Sequence, residues 1–158
     1  MTSNNSDEYW MKQALRLAKL SELIGEIPIG AVLILDNKII GNGWNSSISK
    51  CDPTAHAEII ALREGGLFLN NYRLLNTTLY VTLEPCLMCL NAIFYSRISN
   101  LVYGAKNNRY CFFKKKLIDN NLFAKKITIH GGVLELTCSL LLKNFFKNKR
   151  KNKKNNLL

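Results

Sequence analysis

Two short segments about 30 residues apart place the strongest constraint on the fold of this chain, because their side chains must meet. The first contains His56 and Glu58, and the second contains Cys86 and Cys89 directly after a proline. Histidine nitrogen and cysteine sulfur are ligands that Zn²⁺ prefers, and a catalytic zinc takes three protein ligands where a structural zinc takes four. The spacing therefore predicts a catalytic zinc site held by His56, Cys86 and Cys89.

Glu58 is the carboxylate of this set that the metal does not require. It follows His56 by two residues, close enough to reach the metal-bound water without binding the metal. Zinc lowers the pKa of such water to about 7, which makes the water a nucleophile at neutral pH. Glu58 would act as the proton shuttle between this water and a leaving group. The predicted chemistry is the hydrolytic removal of an amine.

The five cysteines do not indicate a disulfide framework, because their number is odd and their spacing is irregular. A Cys-x-x-Cys pair alone fits a redox site or a metal site equally well, and the nearby histidine and proline favour the metal. A structural zinc site would need a fourth ligand, for which the candidates are Cys51, Cys111, Cys138 and His130. That alternative leaves Glu58 without a role.

Hydrophobic periodicity predicts alternating helices and strands in one domain. Helices are predicted over residues 7–23, 53–63 with a stop at Gly65-Gly66, from Pro85 onward, 117–122 and 134–149. Strands are predicted over residues 29–35, 38–43, 77–83, 99–105 and 126–130, the first two joined as a hairpin by Asp36-Asn37. This alternation predicts an α/β fold with a central mixed β-sheet flanked by helices.

Both metal-binding segments are predicted to lie at the starts of helices. Asp52-Pro53 has the form of an N-cap followed by proline at the first helical position, which places His56 in the first turn. A second proline opens the next helix, where Cys86 and Cys89 share one face. The positive end of each helix dipole favours thiolates, so two helix N-termini would converge on one ion. Glu84 is interpreted mainly as a cap of the second helix.

Positive charge is concentrated in the C-terminal part of the chain. The formal net charge is +11, and residues 106–158 contain 14 Lys and Arg residues against two Asp and Glu residues. Such a surface favours a polyanionic partner, which binds with release of counterions. Abundant Lys and Asn also fit an AT-rich coding sequence, which would make part of the excess of positive charge compositional.

Residues 1–148 are predicted to form the deaminase domain, and residues 149–158 a disordered basic tail.

The sequence shows no targeting or membrane-spanning segment. The N-terminus lacks a basic start followed by an apolar stretch. No apolar run approaches the about 18 residues that a membrane span requires. We therefore expect a cytoplasmic protein without a membrane partner.

Longer stretches around the metal segments resemble the bacterial tRNA-specific adenosine deaminases of the cytidine and deoxycytidylate deaminase superfamily. The resemblance covers about residues 9–146 and is carried by residues 8–11, 28–33, 43–45, 52–63, 71–74 and 78–89. The His-x-Glu and Pro-Cys-x-x-Cys pattern is the known signature of zinc nucleobase deaminases. The resemblance implies the three-layer cytidine-deaminase-like fold, one Zn²⁺ per subunit and a homodimer. It also implies an enzyme that converts the wobble adenosine of a tRNA anticodon loop to inosine.

Three further residues are candidate substrate contacts. Asn45 matches a family asparagine that resembles a ligand of the base edge, and its alternative is a turn residue after Trp44. Phe145 and its neighbour Phe146 could stack on loop bases or belong to the core. Asn107 stands where the family usually has an acidic residue, in a loop that is expected to touch nucleotides beside the target base.

Two alternative functions stay open at this point. A deaminase of free cytidine, guanine or nucleotides would share the metal site and would not need a basic surface. A non-catalytic, zinc-stabilised RNA-binding subunit would bind RNA without using Glu58. The presence of Glu58 argues against the second alternative, and a panel of substrates separates the first from the leading hypothesis.

Overall fold

The computed structural model describes residues 3–109, 115, 118–119 and 126–155. Its strands are β1 (Gly30–Leu35), β2 (Lys38–Trp44), β3 (Thr78–Leu83), β4 (Asn100–Ala105) and β5 (Thr128–Gly131). The helices that lie within these described residues are α1 (Ser3–Leu23), α2 (Ala57–Leu69), α3 (Leu87–Ser96) and α4 (Glu135–Asn155). None of the described helices is both long enough and apolar enough to cross a bilayer.

The strands form one mixed sheet in the order β2-β1-β3-β4-β5. Strand β1 runs antiparallel to both β2 and β3, whereas β3, β4 and β5 are parallel to one another. Asp36 and Asn37 join β1 to β2 with positive φ angles of 48° and 59°, as a two-residue hairpin turn requires. The predicted hairpin and mixed sheet are confirmed.

The two faces of the sheet carry separate hydrophobic cores. Successive residues of a strand point to opposite faces, so neighbouring residues of β1 enter different cores. Leu33 packs on the face that α2 and α3 cover, together with Phe94. Val32 packs on the other face against Met11 of α1 and Cys138 of α4. The architecture is therefore three layers, with the sheet between two pairs of helices, as the resemblance implies.

Glycines let α2 lie very close to the sheet. A Cβ atom at Gly43 of β2 would overlap the carbonyl oxygen of Ala57 and lie 2.7 Å from the Ala61 nitrogen. A Cβ atom at Gly41 would likewise lie 2.9 Å from the nitrogen of Gly65, and would overlap the backbone of α2. Real Cβ atoms do not approach backbone atoms this closely. The N-terminal turn of α2 can therefore lie at this distance from β2 only because the residues beneath it are glycines.

The predicted start of α2 is wrong by several residues. The helix begins at Ala57, and His56 is its N-cap with an extended backbone (φ −77°, ψ 154°). The carboxylate of Asp52 instead accepts bonds from the backbone N–H and the hydroxyl of Thr54, at 2.8 and 2.7 Å. These bonds form a local turn that competes with the helix, so the helix begins only after this turn.

The predicted end of α2 and start of α3 also differ from the structure. Helix α2 continues to Leu69 and ends at Asn70, which has the left-handed conformation. Gly65 lies within the helix, where its missing side chain makes room for Leu33 of the sheet. Helix α3 begins at Leu87, with Cys86 as an extended N-cap and Cys89 within the first turn.

The ends of the chain contain more helix than predicted. Helix α4 continues to Asn155, so residues 149–155 are helical where a disordered tail is predicted. Extending an existing helix needs no new nucleus, and lysine is a good helix former that is favoured near a helix C-terminus. Helix α1 begins at Ser3, and Asp7 accepts a bond from the Tyr80 hydroxyl instead of capping the helix. The predicted helix over 117–122 lies largely outside the described residues.

Candidate active site

The three predicted metal ligands converge at one point between α2 and α3. The ligand atoms of His56, Cys86 and Cys89 all lie within 4.8 Å of one another. The Nδ1 atom of His56 lies 3.7 Å from the Cys86 sulfur and 3.4 Å from the Cys89 sulfur. Two ligands of a tetrahedral zinc, one nitrogen and one sulfur, are separated by about 3.6 Å. The donor set and its geometry therefore fit a zinc ion.

A fourth protein ligand does not join this group within the described residues. His56, Cys86 and Cys89 are the members of the cluster, which leaves one tetrahedral position for water. Cys51 is exposed, and Cys138 is buried in the core on the opposite face of the sheet. Cys111 lies outside the described residues. The described part of the structure thus favours a three-ligand site over a closed structural site.

The two cysteines have strongly different proton affinities. A hydrogen bond from Cys89 lowers the pKa of Cys86 to about 4. The same bond, together with burial, raises the pKa of Cys89. Hydrogen bonding with Cys86 also raises the pKa of His56. Cys86 is consequently a thiolate at neutral pH, which is the form that binds a metal.

Glu58 lies in the first turn of α2 and is almost completely buried, with 4% of its surface exposed. This burial is the main cause that raises the pKa of Glu58 to about 7. A carboxyl group with a pKa near the working pH can both accept and return a proton. The structure therefore gives Glu58 the properties that a proton shuttle needs.

Glu58, His56 and Cys86 border one cavity of about 360 Å³. This volume is in the range of small-molecule sites. The rest of its wall is made of Ile27, Ile29, Leu83, Glu84, Lys106, Asn107, Asn108, Arg109, Leu142 and Phe146. The wall is apolar on the side of β1 and α4, and it carries amides and two cations on the loop after β4. The loop around Asn107 was predicted to touch nucleotides, but the sequence did not indicate Lys106, Arg109 or Leu142 individually as site residues.

Glu84 borders the cavity and binds the loop that follows β4. Its carboxylate accepts a bond from the backbone N–H of Asn107 at 2.8 Å, and its carbonyl accepts one from the Asn107 side chain at 3.4 Å. The side-chain oxygen of Asn107 accepts the N–H of Arg109 at 3.1 Å. The N-cap of α3 is Cys86, whose own side chain makes no capping bond, and a cap by Glu84 stays a prediction. Glu84 and Asn107 hold the loop with its two cations beside the cavity.

Asn45 lies directly behind the cavity wall. It is buried, and its backbone N–H donates to the carbonyl of Ile29, a wall residue, at 3.0 Å. Its side-chain nitrogen donates to Glu26 at 3.1 Å. Asn45 therefore lies next to a residue of the cavity wall, but it is not among the described residues that line the cavity.

Phe145 and Phe146 have different positions on α4. Phe145 is buried, and the Nζ atom of Lys149 lies 5.4 Å from the centre of its ring. Phe146 is partly exposed and borders the cavity, with its ring 5.4 Å from that of Phe145 in an edge-to-face contact. The structure thus brings Phe146 to the site and places Phe145 behind it.

A second, larger cavity of about 800 Å³ lies on α2 and α3 and shares no lining residue with the first. Its wall includes Leu67 and Tyr72, and both side chains are mostly exposed. Phe68 of α2 and Tyr95 of α3 are also exposed. This surface is referred to below as the α2–α3 face. Its exposed apolar side chains are grouped, whereas exposed apolar residues that lie singly on a surface are common and need no explanation.

The three-layer fold, with a His-x-Glu segment and a Cys-x-x-Cys segment at two adjacent helix starts, defines the class of zinc-dependent nucleobase deaminases. The family described as the cytidine and deoxycytidylate deaminase zinc-binding region matches residues 4–105. This match contains all three predicted metal ligands and Glu58.

More similar relatives narrow the class. A tRNA-specific adenosine deaminase from Buchnera aphidicola subsp. Baizongia pistaciae is 60% identical over 151 residues, which cover 94% of this chain and 93% of the relative. One from Haemophilus influenzae is 51% identical over 156 residues, covering 94% and 87%. A structure solved in a study of A-to-I editing by tRNA:A34 deaminases at the wobble position superposes with a TM-score of 0.79 at 34% identity, covering 85% and 99%. The chain belongs to the family of tRNA-specific adenosine deaminases.

Proposed function

We propose that this protein deaminates the wobble adenosine of a tRNA anticodon loop to inosine by hydrolysis. The observation that carries the proposal is the buried carboxylate of Glu58, which borders a cavity together with His56 and Cys86. The relatives named above are tRNA-specific adenosine deaminases by name, and they align with nearly the full length of this chain. A single-stranded loop suits such a site, because its bases leave the stack at little cost.

His56, Cys86 and Cys89 would hold one zinc ion per subunit. When bound, zinc supplies the Lewis acidity that activates water for attack on the carbon bearing the amine. Glu58 takes up the proton that the attacking water releases at its carboxylate oxygen. It returns a proton to the ring nitrogen of the base, and a further transfer through Glu58 converts the amine to ammonia, which leaves. The pKa of Glu58 near 7 suits both directions of transfer.

The remaining cavity residues would bind and orient the nucleotide. Ile29 and Phe146 offer apolar surface to the base, and Phe146 can stack on it. Lys106 and Arg109 lie on the rim, where they can meet phosphates on either side of the target. The amide of Asn45, just behind this wall, is our candidate for a contact with the base edge.

Helix α4 would extend the RNA-binding surface beyond the cavity. Phe146 borders the cavity, and Lys149 and Arg150 follow it by three and four residues on the same helix. Residues at these spacings share one face of a helix, so the two cations continue the side of α4 that carries Phe146. We therefore infer that α4 guides the phosphate backbone of the tRNA toward the active site, with a salt-dependent affinity.

We also infer a homodimer that forms through the α2–α3 face. Leu67 and Tyr72 are exposed at a cavity of about 800 Å³ on this face, and Phe68 and Tyr95 are exposed on the two helices that form it. Exposed apolar patches of this kind mark protein interfaces, and a second copy of the chain is the commonest partner. We place the protein in the cytoplasm, because tRNA and reduced thiols occur together there.

The proposal is tested with anticodon stem-loops that carry A or C at the wobble position. Inosine and uridine are measured by mass spectrometry, and zinc by atomic spectroscopy. We expect inosine from the wild-type protein, with no uridine. Glu58→Ala should keep its zinc and lose activity by at least about 10²-fold, which is the usual contribution of a proton shuttle. Cys86→Ser should lose zinc and activity together.

The alternatives predict different results in the same experiment. A zinc-loaded wild-type protein that binds the stem-loop and forms no inosine would contradict the proposal and favour a non-catalytic subunit. Activity on free cytidine, guanine or nucleotides, without activity on RNA, would indicate a small-substrate deaminase. Full zinc retention in Cys86→Ser would contradict the ligand assignment.

A further inference from the structure

Glu26 is a buried carboxylate that joins two segments near the active site. Only 1% of its surface is exposed. One of its oxygens accepts the backbone N–H groups of Ile48 and Ser49, both at 2.8 Å. Its other oxygen accepts the side-chain N–H of Asn45 at 3.1 Å. The mechanism described above uses neither this carboxylate nor these bonds.

The hydrogen bond to Glu26 determines the orientation of the Asn45 amide, that is, the positions of its nitrogen and its oxygen. A carboxylate only accepts hydrogen bonds, so the nitrogen of the Asn45 amide must face it. The amide oxygen therefore points away from Glu26, and one N–H of Asn45 is committed to this contact. A hydrogen-bonding partner, rather than the shape of the site, fixes the donor and acceptor positions that Asn45 offers to a substrate.

Asn45 and the residue after it are hydrogen-bonded to segments that border the active site. Its backbone N–H binds the carbonyl of Ile29, whose side chain borders the cavity. The next residue, Ser46, donates its N–H to the carbonyl of Ala55 at 3.0 Å. Ala55 directly precedes His56, so Glu26 contacts a segment that lies between the cavity wall and the metal ligand.

We propose that Glu26 is a positioning residue that fixes the orientation of the Asn45 amide. Through this orientation Glu26 sets the specificity of Asn45 for the base edge. This inference rests on the proposed function and on the role of Asn45 in it. Glu26→Gln is the informative substitution because it changes one oxygen to an NH₂ group and keeps the shape. The oxygen of the introduced amide can still accept from Ile48 and Ser49, and its NH₂ group then faces Asn45.

The Asn45 amide would have to rotate by half a turn to pair with this NH₂ group. All three hydrogen bonds of the carboxylate would then be replaced, so the variant should fold with little loss of stability. The donor and acceptor positions that Asn45 offers to the base would be exchanged. A mismatched base-edge contact costs about 1–3 kcal/mol, which corresponds to about 5- to 150-fold in kcat/KM.

A double-mutant cycle tests whether Glu26 acts through Asn45. The variants are Glu26→Gln, Asn45→Ala and the double variant, all as full chains with measured zinc content and thermal stability. Both kcat/KM for inosine formation and the Kd for the stem-loop are determined. Tyr80→Phe is the control, because it removes a partly buried hydrogen bond to Asp7 beside the core that α1 and α4 cover. It should lower the melting temperature without changing specificity.

We expect Glu26→Gln to retain zinc and thermal stability and to lose at least about 5-fold in kcat/KM. In the Asn45→Ala background the same substitution should have no further effect, because the amide that it reorients is gone. Additive losses, an unchanged kcat/KM in Glu26→Gln, or a loss that accompanies zinc release or unfolding would overturn the inference. The wild-type activity in the same assay tests the proposed function separately. The Kd cycle reports on Glu26 even in a chain that binds RNA without deaminating it.

Discussion

The packing of α2 against glycine in β2 leads to a prediction that connects the fold with the active site. Gly43→Ala adds one methyl group at the closest approach of the helix to the sheet. This methyl group would overlap the carbonyl oxygen of Ala57 and lie 2.7 Å from the nitrogen of Ala61. Both obstacles are backbone atoms, which cannot rotate away as the end of a side chain can. The N-terminal turn of α2 must therefore move.

The size of this movement follows from ordinary contact distances. Carbon atoms in contact prefer separations of about 3.5–4.0 Å, so clearing the Ala61 nitrogen alone requires an outward movement of about 1 Å, and clearing the Ala57 oxygen requires more. Overpacking of this kind usually costs about 1–3 kcal/mol of stability. Glu58 lies in the turn that moves, and His56 directly precedes it. A displacement of about 1 Å at a catalytic group can reduce the rate by about 10²-fold.

Three measurements on Gly43→Ala check this reasoning. We expect inosine formation from the stem-loop to fall by about 10²-fold, the zinc content to fall below one per chain, and the melting temperature to decrease. Asn42→Ala is the matched control on the same strand. It places its methyl group on the opposite face of β2, in the space of a larger side chain, and should keep both zinc and activity.

A Gly43→Ala variant with full zinc, normal activity and an unchanged melting temperature would refute the packing argument. A lower melting temperature with normal zinc and activity would show that α2 adjusts without moving His56 and Glu58. In that case the glycine would serve stability alone. A loss of activity in Asn42→Ala as well would indicate that β2 affects the site by a route other than its contact with α2.

Two further predictions concern the surfaces that the proposed function uses. Deletion of residues 149–158 removes five cations; it should weaken stem-loop binding and flatten the plot of log Kd against log salt by about 0.7 for each lost phosphate contact, and the zinc content should stay the same. An affinity that is unchanged at every salt concentration would make these lysines a compositional feature. Leu67→Glu should convert a dimer to a monomer in sedimentation equilibrium, whereas Leu23→Glu, at an equally exposed leucine (82% for both), should not. A monomeric wild-type protein, or a Leu67→Glu dimer, would contradict the assignment of the α2–α3 face.

The convergence of His56, Cys86 and Cys89 could be predicted from the sequence because few residue types bind zinc and their spacing is short. The predicted convergence of His56, Cys86 and Cys89 needs only two local motifs and the assumption that their segments meet. The order of helices and strands could likewise be predicted, since each element carries its own periodicity. The predicted positions of helix ends are less accurate. The Asp52 carboxylate can either cap a helix or form a local turn with Thr54, and the sequence does not show which of these two uses it has.

The residues that position the site could not be predicted, because their partners are distant in the chain. Glu84 meets Asn107 across 23 residues, and Glu26 meets Asn45 across 19 residues. Each of these glutamates has an ordinary local context: Glu84 before a proline resembles a helix cap, and Glu26 resembles a loop residue. Only the folded arrangement shows that both carboxylates accept bonds from segments beside the cavity.

The close packing of α2 also explains the proton affinity of Glu58. Gly43 allows the first turn of α2 to lie against the sheet, and this position leaves only 4% of Glu58 exposed. Burial is the main cause that raises the pKa of Glu58 from 4.5 to about 7. If α2 moved outward, water would reach the carboxylate and its pKa would fall toward 4.5, so Glu58 would return protons less readily at neutral pH. A glycine in a strand thus contributes to the acid–base chemistry of a glutamate on the neighbouring helix.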